Sequence, residues 1–145
     1  MTAAREAWAR TTLHVWPGDY LLASLPAGRM ADAAALLAAS PAGTFVALVR
    51  ERAELALTLP EASRAGLTAL GARMDGPYRV LTFDVALPLD LVGFLAPAAV
   101  RLAEAGVSIV PQCGFRTDHL LVRAADLEAA RRTLEEFARE CAADA

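Results

Sequence analysis

Residues 78–139 read YRVLTFDVALPLDLVGFLAPAAVRLAEAGVSIVPQCGFRTDHLLVRAADLEAARRTLEEFAR, and the order of patterns along them decides the fold. Arg79 to Val85 alternates in part, as a strand does, and Leu91 to Ala105 is apolar at helical spacing until Gly106 stops it. Val107 to Pro111 and His119 to Arg123 read as strands joined by a turn that contains Gly114. Asp126 is a good N-cap for a last helix, whose stripe Leu127, Ala130, Leu134, Phe137 and Cys141 suits packing on a sheet. Strand, helix, strand, strand, helix is a split β-α-β layout. Its loop Leu87-Pro-Leu-Asp-Leu-Val-Gly93 lies where the first strand hands over to the first helix, a place where small ligands dock.

The first half repeats that order more faintly. Pro17-Gly18 introduces a strand from Asp19 to Leu25, and Ala31 to Ala39 is a short helix ended by Ser40-Pro41. Thr44 to Arg50 and Glu54 to Leu59 read as a hairpin turning at Glu51-Arg52-Ala53, and Pro60-Glu61 starts a helix toward Leu70 that Gly71 ends. Two copies of one supersecondary unit follow. After the helix Asp126 to Glu140 only Cys141 to Ala145 remain, too few for the fourth strand that such a unit needs. The best donor is Thr11 to Trp16 (TTLHVW), β-branched and aromatic and cut off by Pro17-Gly18. It would cover an open sheet edge, from the same chain or from a dimer partner. The expected units are therefore residues 11–75 and 76–145, the second completed by strand 11–16.

Composition excludes several classes. With 145 residues, 56% of them hydrophobic and 21% charged, the chain can bury a core. Its net charge of -3 with no lysine does not suit a phosphate-tracking surface, and no nucleic-acid partner is expected. The longest apolar region, Val85 to Val100, contains Asp90, Pro88 and Pro97 and falls short of the roughly 20 residues that span a bilayer. Met1 to Arg10 has no apolar run of secretory length, so a cytoplasmic protein without membrane attachment is expected. Cys113 and Cys141 read as two small buried hydrophobes.

Catalytic patterns are missing. There is no phosphate-cradling loop, dinucleotide glycine pattern, nucleophile elbow or paired metal-ligand spacing. His14, His119, Cys113 and Cys141 have no spacing that would make them converge on a metal. An acylphosphatase-like enzyme needs an amide side chain, usually asparagine, to orient its water, and the chain has no asparagine. No cofactor, metal or catalytic residue is expected.

Gly76-Pro-Tyr-Arg-Val-Leu, Leu87 to Ala96, Leu102 to Ile109 and Thr117-Asp-His-Leu-Leu-Val122 together resemble the ACT domain, most of all the small tandem-ACT proteins related to aspartate-kinase regulatory domains and to the animal cytosolic arginine sensor. The resemblance implies an α+β fold of tandem ACT-like (ferredoxin-like βαββαβ) units, with antiparallel sheets and helices on one face. It also implies a non-catalytic, amino-acid-binding regulatory or sensor protein that forms a homodimer and holds its ligand at an interface between ACT units. The alternative is a ligand-free protein–protein interaction module. The site residues carried over are Asp90, Leu91, Val92, Gly93 and Phe94 of the loop, with Thr117 and Asp118 of the T-D-[YH] motif. Amides at a helix start can donate to a carboxylate, and Gly93 lets the backbone come close. Asp90 could instead be an ordinary N-cap and Asp118 a turn cap. Pro97 cannot donate back to the Gly93 carbonyl, so either the helix starts late or that carbonyl is free for an ammonium. Leu91 stands where relatives that read cationic side chains have an acid, which favours an apolar or small ligand.

Overall fold

The computed structural model describes residues 1–145 as an α+β protein in which two compact units each form an ACT-like βαββαβ arrangement. Residues 16–79 make one unit and residues 1–15 with 80–145 the other.

In the unit of residues 16–79, β2 (Tyr20–Pro26), β3 (Ala47–Arg50), β4 (Glu54–Pro60) and the first part of β5 (Arg73–Asp84) align in the order β3-β4-β2-β5. Helices α2 (Met30–Ala39) and α3 (Arg64–Ala69) supply Ala33 and Leu67 to a core built on Leu21, Leu25, Leu55, Leu57 and Leu59. The period-two spacing of these leucines puts them on the helix side of the sheet. Strand β5 begins at Arg73, ahead of the expected Arg79. A register shift between Tyr20 and Leu22 accommodates Gly76-Pro77 within the strand. Glycine is required there, because a Cβ at residue 76 would stand 3.0 Å from the Tyr20 carbonyl.

In the other unit, β1 (Thr12–Val15), the end of β5, β6 (Ile109–Cys113) and β7 (Asp118–Arg123) run in the order β1-β5-β7-β6. The fourth strand is β1. It pairs antiparallel with β5, Thr12 opposite Asp84 and Val15 opposite Leu81, within the same chain. Helices α1 (Ala3–Ala9), α4 (Leu95–Glu104) and α5 (Leu127–Ala143) pack on Leu81, Phe83, Leu120 and Val122.

Three local expectations need correction, and one helix has no counterpart among them. Helix α1 is not foreshadowed by the sequence pattern; Thr2 caps it by accepting from the Arg5 N–H, and its inner face buries Ala4, Ala7 and Trp8. Helix α4 begins at Leu95 rather than Leu91, because Pro88 to Leu91 closes a turn of its own, with the Leu91 N–H on the Pro88 carbonyl at 3.0 Å. Asp126 is the last residue of a short 3-10 turn and makes no capping bond. Cys113, the last residue of β6, is exposed, while Cys141 is buried as expected.

Candidate functional site

The loop after β5 is tied to the β6–β7 hairpin by one long-range bond: the Leu87 N–H donates to the Arg116 carbonyl at 2.8 Å. The hairpin turn is tight, with the Gly114 N–H on the Thr117 carbonyl at 2.8 Å. A side chain at Gly114 would meet that carbonyl at 3.0 Å, a tight contact. Loop and hairpin together enclose a cavity of about 160 Å³. Leu87, Leu89, Leu91, Phe94 and Phe115 form its apolar wall, and Cys113, Arg116 and Asp118 are its polar groups.

Of the residues expected at a site, the cavity brings together Leu91, Phe94 and Asp118. Asp90, Val92, Gly93 and Thr117 lie in the same two segments and are not among its lining residues. Phe94 is the N-cap of α4, and Gly93 precedes it with φ +85°. Pro97 is thus the third helical residue, where a proline costs no intrahelical bond, and the late start of the helix answers the question posed by Pro97. The Phe94 carbonyl is also taken: the buried Trp8 indole N–H donates to it at 2.8 Å. Sequence reasoning did not find Arg116, Phe115 or Cys113 as site residues. Arg116 makes no ion pair, so its guanidinium and the Asp118 carboxylate give one cavity both signs of charge.

Local electrostatics follow from this packing. Cys113 stands opposite Asp118 in the β6–β7 ladder. Partial burial of the thiol, then its hydrogen bond to the Asp118 carboxylate and that group's charge, push the Cys113 pKa up. His119 accepts or donates at Nδ1 to Thr82 Oγ1 at 2.7 Å. Burial lowers its pKa, and the Asp118 charge opposes this only in part. The fold therefore favours neutral His119, and below the ordinary value of about 6.5 the unfolded chain binds more protons than the folded one. Stability held in full above that pH should fall as the pH drops toward the lowered folded value. Urea melts at about pH 7.5 and 5.0, on either side of that ordinary value, are expected to show a larger acid loss for the wild type than for His119→Gln.

Gly93 has open space where a side chain would stand but a left-handed backbone. Gly93→Val should therefore cost about 1–2 kcal/mol from φ alone, read as a lower melting temperature. A melt unchanged from wild type would mean that the loop relaxes to negative φ.

No three His, Cys, Asp or Glu side chains converge in a metal-binding group, and no helix is long and apolar enough to cross a membrane.

Residues 73–136 match the family model of the ACT domain. Among solved structures, the chain is similar to a protein of unknown function from Vibrio cholerae, described as a possible transport protein, at 26% identity and TM-score 0.73, covering 92% of this chain and 94% of that one. A protein from Agrobacterium tumefaciens is 26% identical at TM-score 0.69, over 89% and 90% of the two chains. The regulatory subunit of aspartate kinase from Thermus flavus is 16% identical at TM-score 0.60, over 88% and 95%, a likeness of fold alone. No curated protein matches the chain by sequence. The ACT domain match supports a regulatory, ligand-binding role.

Proposed function

We propose that the protein is a non-catalytic cytoplasmic sensor that binds a small or apolar amino acid at the loop cavity. The observation that supports it best is the opposed pair Arg116 and Asp118 over an apolar wall. Arg116 suits the ligand carboxylate and Asp118 its ammonium, while Leu91 and Phe94 meet the side chain. Asp90, Val92, Gly93 and Thr117 belong to this reading as the backbone that shapes the two segments. At about 160 Å³ the cavity is below the roughly 300–1,000 Å³ of ordinary ligand pockets, which favours a compact ligand.

Leu89 and Phe115 on the cavity rim and Val92 beside it are 76%, 79% and 86% exposed. Such apolar exposure favours a homodimer in which a second chain closes the site, an interface between ACT units. The same patch favours the second reading, a module that binds a protein and no amino acid. Thermal-shift screening against the amino acids separates them, since a ligand specific to the folded state raises stability by RT ln(1 + [L]/Kd). A stabilising amino acid is expected, and its affinity by calorimetry should fall about tenfold or more in Asp118→Asn and in Arg116→Gln. A screen without any stabilising amino acid would favour the interaction module.

A further inference from the structure

A second concavity, of about 370 Å³, lies in the unit of residues 1–15 and 80–145 between α1, β1 and α5 and shares no residue with the loop cavity. Its floor is apolar, formed by Trp8, Leu13, Leu134 and Ala138. Two charged residues line it, one helical turn apart on α5. Glu135 is occupied, since Arg131 donates to its carboxylate at 3.2 Å. Arg139 has no ion pair, although Arg5 and Arg101 nearby are bound to Asp144 and Glu140. The Trp8 indole N–H and the Thr11 hydroxyl are both spent inside the fold, on the carbonyls of Phe94 and Ala7. The groove therefore offers apolar surface, one unpaired guanidinium and the exposed Thr12.

We infer that this groove is a second small-molecule site, and that it takes an apolar carboxylate. The volume falls within the range of ordinary ligand pockets. An apolar tail would cover the partly exposed Leu13 and Ala138, and the carboxylate would pair with Arg139, the one charge at the groove left without a partner. A zwitterion fits worse, because Glu135 is held by Arg131. Trp8 reports on occupancy: it lines the groove while its ring stacks on Phe94 at 4.8 Å.

The probe is octanoate, with octanol as the uncharged control, titrated into the full chain carrying Trp16→Phe so that Trp8 emission is read alone. Saturable binding of octanoate is expected, weakened about fivefold or more by Arg139→Gln, with octanol matching that weaker affinity. Ala138→Phe should abolish binding by filling the floor, and its melting curve establishes that it is folded. Arg139→Gln is a surface change and keeps the test valid if Ala138→Phe does not fold. Equal affinities for octanol and octanoate, or for wild type and Arg139→Gln, would overturn the assignment. So would octanoate binding that falls in Asp118→Asn instead, which would put the probe in the loop cavity. A dimer in ultracentrifugation that Ala138→Phe dissociates would overturn it too, by giving the groove to a second copy of the chain.

Discussion

A chain lacking residues 1–15 is expected to lose the folded state of the unit that residues 1–15 form with 80–145. Those residues supply β1, which pairs with Leu81 to Asp84, and α1, which brings Trp8 into the aromatic cluster. Trp8 stacks on Phe94 and meets Phe83 edge-on, with centroids at 4.8 and 5.2 Å, and Phe137 lies 4.9 Å away. Ala4 and Ala7 are also buried, and Leu13 and Val15 pack against the same core. Each large buried side chain is worth about 1.5–3 kcal/mol and an aromatic more. Losing the set together approaches the whole of the roughly 5–15 kcal/mol that holds a typical domain. Deletion also strips β5 of its neighbour and opens an edge that invites aggregation. Insoluble protein, or a soluble one without the near-ultraviolet dichroism of packed aromatics, is expected. A truncated chain that melts like the full one would mean that α1 and β1 are not part of the unit's cooperative core.

Trp8→Ala is the point substitution with the largest expected effect. Truncating a buried tryptophan costs about 3–5 kcal/mol through lost burial and the cavity left behind. The Phe94 carbonyl would also lose its donor, a further cost of about 1–3 kcal/mol if water cannot reach it. Trp8→Phe separates the two contributions, since it keeps most of the ring and removes the indole N–H. Chemical denaturation should place Trp8→Phe between wild type and Trp8→Ala. Equal stability of Trp8→Phe and wild type would show that the bond to Phe94 contributes nothing net. Because Phe94 both accepts this bond and lines the loop cavity, Trp8→Phe should loosen the cavity wall as well.

The elements most legible in the sequence are those with strong local periodicity. The stripe Ala130, Leu134, Phe137 and Cys141 is the buried face of α5, and the α4 terminus at Gly106 is closed by the Val107 N–H on the Leu102 carbonyl at 2.8 Å. Strand β1 is legible from the β-branched and aromatic run Thr11 to Trp16, cut off by Pro17-Gly18. Helix α1 is hidden because its inner face is two alanines and one tryptophan, and alanine marks no face. The start of β5 is hidden by Gly76-Pro77, whose strand pairing depends on a bulge opposite Tyr20 and Leu22. At the site, the glycine loop and Asp118 can be named from sequence likeness. Arg116, Phe115 and Cys113 cannot, because the bond from Leu87 to the Arg116 carbonyl joins hairpin and loop across the sequence, and no local pattern encodes it.

The most direct test of amino-acid binding at the loop cavity is amide chemical-shift mapping on the uniformly nitrogen-15-labelled full chain, titrated with each amino acid in turn. At least one small or apolar amino acid should give saturable shifts concentrated in residues 87–94 and 113–118, and Asp118→Asn should remove them. Shifts centred on other segments, or no saturable shift with any amino acid, would contradict the placement of an amino-acid site at this cavity.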